Sequence, residues 1–366
     1  MTTVESATEL PILLIYTDDP SWEPAEREAV HRETCRLGRA MRRQGHRVRL
    51  VPVRDRNLRR ALAGHEPGGV LIFNWCEAIP GLERSEAQVP AALERLRFTY
   101  TGAPARVLKL SYDKVRVKRR LETHGIPTPR WRVFDAPPEG GWDVFPAIVK
   151  PAREHCSVGV DAGAVVTHPD ELRRRVAWVT ETFSQPALVE DFIDGREFHV
   201  SLWGNDPVEV LPVVEMDFSG LGDIHDRLCT FDSKFVPDSP AYQRIRSYVP
   251  ARLDRSEHAE LERICRAAYA VIGCRDYGRI DVRLRDGVFH VLDVNPNADI
   301  SADASLALAA GKAGYCYGAM GSRMIRLAAE RHPRRTATRQ RQPDRRRAPE
   351  EADRRPIRLQ NRAPHQ

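Results

Sequence analysis

The chain has 366 residues, long enough for two or three domains with substantial cores. No apolar run reaches the roughly eighteen residues that a membrane span needs, and the acidic stretch Met1 to Leu10 lacks a signal-peptide pattern, so a soluble, cytoplasmic protein with no membrane partner is expected. The formal charge of +6 sits at one end: twelve of the 57 basic and four of the 51 acidic residues lie between Arg331 and Gln366, leaving 45 basic and 47 acidic residues in a nearly neutral body.

Pro11 to Tyr16 reads as a buried parallel strand, Glu26 to Gln44 as an amphipathic helix ending at Gly45, and Arg47 to Val53 as a second strand. Another buried strand, Gly69 to Asn74, precedes a helix around Glu86 to Leu96. Strands alternating with helices imply βαβ units on a parallel sheet, so residues 1–108 are expected to form an α/β domain. A central segment, 109–195, starts with a charged helix from Tyr112 to His124, stopped by Gly125 and the extended Ile126-Pro127-Thr128-Pro129, and runs into the strand Ala147 to Pro151. A third segment, 196–331, carries a hairpin and a final helix near Gly318 to Glu330. The remainder, 332–366, is rich in Arg, Pro and Gln, which predicts a disordered tail that touches polyanions only nonspecifically. Seven cysteines, at 35, 76, 156, 229, 265, 274 and 316, include no Cys-x-x-Cys pair. That argues against a disulfide framework or a structural zinc site, and predicts that most are buried small hydrophobes.

The hairpin carries the strongest chemical signal. Ile280 to Leu284 and Val288 to Val294 alternate apolar and polar residues around Arg285-Asp286-Gly287, and Asp-Gly between alternating runs favours a tight turn. That pairing lets Asp281 face Asp293, with Arg279 and Asn295 alongside. Mg²⁺ shares oxygen ligands between one or two carboxylates and substrate phosphates, so Asp281, Asp293 and Asn295 suit a metal on a nucleotide tail. An exposed hairpin with ordinary charges is the plainer alternative. Lys150 ends an apolar strand before Pro151, and the loop Ala152 to Val160 offers backbone amides, the Ser157 hydroxyl and Gly159 to anionic oxygens. It is not a Walker A loop, since Gly-x-x-x-x-Gly-Lys-Ser/Thr is absent. Lys114, in Ser111-Tyr112-Asp113-Lys114, is a second cation. Glu190, Asp191, Phe192 and Ile193, followed by Glu197, can read a base edge and a ribose; a strand-turn-strand link with solvated acids has the same pattern.

Taken together, Ser111 to Lys114, Gly125 to Pro129, Val149 to Val160, Val189 to Glu197, Gly278 to Asp281 and Asp293 to Asn297 occur in the order and spacing of ATP-grasp enzymes. The chain most resembles D-alanine–D-alanine ligases and their relatives, and Phe73 to Glu77, Glu86 to Pro90 and Tyr100 to Gly102 resemble that family's first domain. The resemblance implies a three-domain α/β ATP-grasp fold with a Rossmann-like first domain, and a carboxylate–amine ligase working through an acyl phosphate. By it, Lys114, Lys150, Ser157 and Lys234 contact phosphates, Glu190 to Ile193 the adenine and Glu197 the ribose of ATP. Asp281, Asp293 and Asn295 bind two Mg²⁺, for which Mn²⁺ can substitute. Arg279 stabilises a tetrahedral oxyanion, a task worth about 3 to 4 kcal/mol in comparable acyl-transfer sites. Thr230 to Phe235 is the mobile loop that excludes water. Small amino acid or amine substrates, a homodimer and no specific nucleic acid are implied as well.

Departures from the family gather at the amino-acid pocket. The family's hydrogen-bonded Glu, Ser and Tyr around the first amino acid match Glu26, Cys156 and Phe235; Cys is a weak partner and Phe offers none. A Pro-Gly turn is replaced by Ala298-Asp299, where Asp299 repels a substrate carboxylate or attracts an ammonium. The expectation is a ligase whose donor or acceptor is not plain D-alanine. A genuine D-alanine–D-alanine ligase of cell-wall synthesis, a catalytically degenerate ATP-binding regulatory module and a nucleic-acid binder driven by the Arg-rich tail stay as alternatives.

Overall fold

A computed structural model describes residues 9–155, 157–230 and 243–334. Strand β1 (Ile12–Thr17) is buried along its whole length and lies between β2 (Val48–Val53) and β3 (Leu71–Trp75), all parallel. An unbroken apolar run suits a strand covered on both faces. Between β1 and β2 runs helix α1 (Pro24–Arg43), which opens on a proline, where the missing N–H has no partner to lose. Short α2 (Leu58–Ala61) and α3 (Gln88–Arg95) complete this layer.

Two helices lead out of it, α4 (Ala105–Ser111) and α5 (Lys114–Thr123). The Asp113 carboxylate caps α5 by accepting from the Arg116 amide, and Gly125 takes a positive φ just past its end. A second sheet then forms from β4 (Trp131–Phe134), β5 (Ala147–Pro151), β6 (Val165–Val166) and, after helix α6 (Pro169–Phe183), β7 (Ala187–Asp191). Its order is β4-β7-β5-β6, wholly antiparallel, and its core joins Val149 and Val189 to Leu172, Val176 and Val179 of α6.

The third sheet comprises β8 (Arg196–Trp203), β9 (Glu209–Val210), β10 (Val214–Asp217), β11 (Arg246–Tyr248), β12 (Tyr277–Arg285) and β13 (Val288–Asn295). Its main path is β11-β10-β8-β12-β13, antiparallel, with β9 on β8. Asp286 and Gly287 both have positive φ, the turn the Asp-Gly pair predicts. Helix α7 (Arg255–Ile272), with a capping box at Asp254 and Glu257, packs beneath this sheet; α8 (Ser305–Lys312) and α9 (Tyr317–Ala329) follow it.

One apolar cluster joins β1 and α1 to α9 and to Trp203, Val214 and Tyr277 of the third sheet. Gly318 is what lets α9 press on α1, because a Cβ there would meet the Ala40 carbonyl at 2.4 Å. Two expectations are corrected. The body does not stop at 331: His332 is fully buried with Nε2 3.3 Å from the Pro67 carbonyl, and Arg331 pairs with Asp276. Nor are most cysteines buried: among the described residues Cys76 and Cys265 are, while Cys35, Cys229 and Cys274 are half-buried and Cys316, at the N-cap of α9, is exposed. No helix among the described residues is long and apolar enough to cross a membrane.

Candidate active site

Alternation on β12 turns Arg279, Asp281 and Arg283 to one face, while Ile280 and Val282 enter the core. Asp281 lies opposite Asp293 on β13 and His199 on β8; Arg279 lies opposite Asn295 and Ser201; Arg283 lies opposite Glu197. The pairing slips between Asp281 and Val282, so Val282 meets Val291 and Leu292 is skipped. Val291 and Val294 are three apart, and strict alternation would put one of them on the polar face. The bulge lets both reach the core and leaves Asp293 and Asn295 beside Asp281.

The Arg279 guanidinium donates to both oxygens of Asp281, at 2.6 and 3.0 Å, and Asn295 Nδ2 donates to Oδ2 at 3.0 Å. Burial works against the charged guanidinium, but Asp281, with Asp299 behind it, more than offsets this and raises its pKa. Lys114 Nζ donates to Asp293 Oδ2 at 2.9 Å. Burial opposes the Asp293 carboxylate, yet Lys114, His155 and Lys150 hold its pKa well below the usual range. Lys150 and Lys118 both pair with Glu190, which is only 1% exposed. Burial pushes Lys118 down to about 8 against the pull of Glu190, whereas Glu190 and Asp293 outweigh burial at Lys150 and raise it.

Glu197 accepts from Arg283 Nε at 2.7 Å, and Arg283 Nη1 donates to the Ile193 carbonyl at 2.9 Å. Phe192 and Ile193 are buried, and the amides of Asp191 and Phe192 donate to the carbonyls of Arg130 and Pro146, so this segment reaches the cleft with its backbone donors partly committed. The Asp191 carboxylate pairs with Arg285. Over the strand end, the loop is held by the Lys114 amide donating to the Ala152 carbonyl at 3.1 Å and by Ser157 Oγ donating to the Cys229 carbonyl at 2.9 Å. At Gly159, φ +72°, a Cβ would come within 2.6 Å of Pro151 and 2.9 Å of Phe183.

Facing this, Glu77 follows β3, Glu86 precedes α3, and Glu26 stands exposed in the first turn of α1. Crowding by protein, then the carboxylates of Asp299 and Glu26, raise Glu77 to about 7. Burial, only partly offset by a 2.6 Å bond from Asn297 Nδ2 and reinforced by Glu77, raises Glu86 to about 7 as well. Asp299 accepts from the Ser301 amide and hydroxyl at 2.8 and 2.7 Å.

The structure thus assembles Asp281, Asp293, Asn295, Arg279, Lys114 and Lys150, sets Glu190 and Glu197 beside them, and gathers Glu26 and Asp299 around Glu77. Cys156, Lys234 and Phe235, with the rest of the loop from Phe231, lie outside the described residues. Reading by sequence gave no role to Lys118, Arg283, His199, His155, Glu77 or Glu86, although His155 falls in the predicted loop and Glu77 and Glu86 in segments that resemble the family's first domain. Spacing held a signal for three: Lys118 is one helical turn beyond Lys114, while Arg283 and His199 stand two residues from Asp281 and Glu197. His155 packs against Tyr112 with ring centroids 4.1 Å apart and the planes tilted by 59°, and burial followed by Lys114 drops its pKa to about 4.

An all-oxygen set on Asp281, Asp293 and Asn295, fronted by lysines and a glycine-bearing loop, fits a hard divalent cation carrying a polyphosphate. Fold and site together define a member of the ATP-grasp class. The family model "D-ala D-ala ligase C-terminus" matches residues 125–326, more than half of the chain. The chain belongs to the D-alanine–D-alanine ligase family. An uncharacterized protein, y4sG, of Sinorhizobium fredii is 35% identical over 264 residues, spanning 72% of this chain and 75% of that one. The D-alanine–D-alanine ligase of Chromohalobacter salexigens is 31% identical over 257 residues, covering 68% and 75%. The crystal structure of D-alanine–D-alanine ligase from Bacillus anthracis complexed with ATP shares the fold, with TM-score 0.68 at 18% identity over 90% of this chain and 99% of that one.

Proposed function

We propose that the chain is an ATP-dependent carboxylate–amine ligase with three domains, near 1–108, 109–195 and from 196 through His332, acting in the cytoplasm as a homodimer. The paired Asp281 and Asp293, with Asn295 beside them and Lys114 on Asp293, is the observation that carries the reading. ATP supplies the phosphoryl group that makes a carboxylate electrophilic as an acyl phosphate, and Mg²⁺ neutralises the charge that moves. Asp281, Asp293 and Asn295 hold the metal, one ion or two. Lys114, Lys150 and Ser157 bind phosphate oxygens, with Glu197 at the ribose. Arg279 is half-buried beside these carboxylates and orients an oxyanion as the amine attacks. The loop that contains Lys234 and Phe235 covers the reacting groups and keeps water out.

The acceptor wall gives the reading its finer form. Glu77, Glu86, Asp299 and Glu26 repel a free carboxylate and favour an amine that carries a second ammonium or no carboxylate at all. This differs from D-alanine, the substrate in the name of the Chromohalobacter relative. The test is ADP release from protein, ATP and Mg²⁺ with D-alanine alone against a panel of D- and L-amino acids, diamines and amino-acid amides. Turnover with a cationic acceptor supports the proposal; turnover on D-alanine alone overturns the substrate class, and silence on every pair overturns the ligase.

A further inference from the structure

Glu197, His199 and Cys229 bring a carboxylate oxygen, an imidazole nitrogen and a thiol sulfur within 4.8 Å of one another. None of them belongs to the Asp281–Asp293–Asn295 set, and their chemistry is different. Oxygen, nitrogen and sulfur donors together suit a borderline cation such as Zn²⁺ better than Mg²⁺.

Two of the three are already oriented. Arg283 holds Oε2 of Glu197 at 2.7 Å, which leaves Oε1 turned to His199 Nε2 at 3.2 Å. On the far side of the ring, His199 Nδ1 lies 2.9 Å from the Ser305 hydroxyl. A bond at the distal nitrogen is what fixes the orientation of a metal-binding histidine. Two zinc bonds of about 2.1 Å at the tetrahedral angle span about 3.4 Å, and Glu197 and His199 stand 3.2 Å apart. Cys229 completes the set from the loop that precedes residue 231, its carbonyl anchored by Ser157. Its sulfur lies within 4.8 Å of both other donor atoms.

We infer that Glu197, His199 and Cys229 form a binding site for Zn²⁺ or a cation of similar softness, with a fourth position open to water. Because Glu197 belongs to the set, cation and nucleoside exclude each other, so Zn²⁺ acts as an inhibitor. That second part rests on the ribose role proposed for Glu197, while the metal site itself does not.

The probe is Co²⁺, titrated into metal-free, full-length protein and followed by absorption. A saturable near-ultraviolet thiolate-to-cobalt band is expected, with visible bands of four-coordinate geometry. C229S abolishes the near-ultraviolet band, H199N weakens binding at least about tenfold, and D293N leaves both unchanged. No thiolate band in the parent protein, or one that persists in C229S, overturns the site. Adenosine, which has no phosphates to strip the metal, supplies the second arm: Zn²⁺ raises its Kd in the parent protein and not in C229S. Cobalt bound through Cys229 with no effect on adenosine overturns the inhibitory role and the ribose assignment, and leaves the metal site standing.

Discussion

The two walls of the cleft handle charge in opposite ways. On the nucleotide-facing side each buried acid has a basic partner: Asp293 has Lys114, Glu190 has Lys118 and Lys150, and Glu197 has Arg283. On the other side burial, then the carboxylates of Asp299 and Glu26, raise the proton affinity of Glu77, and burial reinforced by Glu77 raises that of Glu86. Paired charges fix positions before anything binds, which suits a ligand whose polyphosphate is always the same. On the proposed reading, a wall of like charges is under electrostatic stress that a cationic acceptor relieves, so affinity and selectivity arise in one step.

Four experiments break or sharpen that contrast. D293N removes a proposed metal ligand and the partner of Lys114, and should lower kcat by about 10³ with little loss of folding; ATP turnover within tenfold of the parent would remove Asp293 from the chemistry. K118M leaves Glu190 with Lys150 alone and should cost about 3 kcal/mol of stability by urea unfolding; a change under about 0.5 kcal/mol would mean that the pairs on this wall are not held as described. E77Q should raise KM for a cationic acceptor about tenfold, equivalent to about 1.4 kcal/mol, with KM for ATP unchanged; equal effects on both would erase the distinction between the walls. The smallest effect is in pH. With its pKa near 7, Glu77 is neutral below that and charged above it, so KM for a cationic acceptor should fall a few-fold from about pH 6 to about pH 8. The slope should flatten in E77Q.

The sign for stability is opposite on the two walls. Glu77 and Glu86, with pKa raised in the fold, hold protons that the unfolded chain has released, so their contribution is present below the unfolded value and fades as pH rises toward 7. Asp293, with its pKa depressed, contributes above the unfolded value and is lost on acidification.

Much of the nucleotide wall was legible in the chain because it is built from local pattern. The Asp-Gly turn sets the hairpin, and the hairpin sets Asp281 against Asp293. Where pattern and space diverge, reading failed. Val288 to Val294 scans as plain alternation, yet the spacing of Val291 and Val294 needs a bulge. Lys118 sits in a run of charges that resembles a solvated helix face, but Glu190 arrives from another sheet to bury it. The acceptor wall draws Glu77 from the first sheet and Asp299 from beyond the third, and no local spacing joins residues so far apart. Cysteine burial was misjudged for a related reason: a residue type has an average environment, whereas Cys316 and Cys35 occupy helix surfaces that composition does not reveal.

The close seat of α9 on α1 at Gly318 has a mechanical consequence. The first and third sheets share one apolar core, cross-braced where His46 meets Ser322 and where Arg331 Nη2 donates to the Tyr100 carbonyl. The second sheet keeps a core of its own under α6. Glu77, just past the end of β3, and Asp299, beyond β13, therefore stand on two sheets held together by one core. The second sheet, bearing Lys150 and Glu190, is tied to that braced body through the pair Glu190 makes with Lys118 of α5.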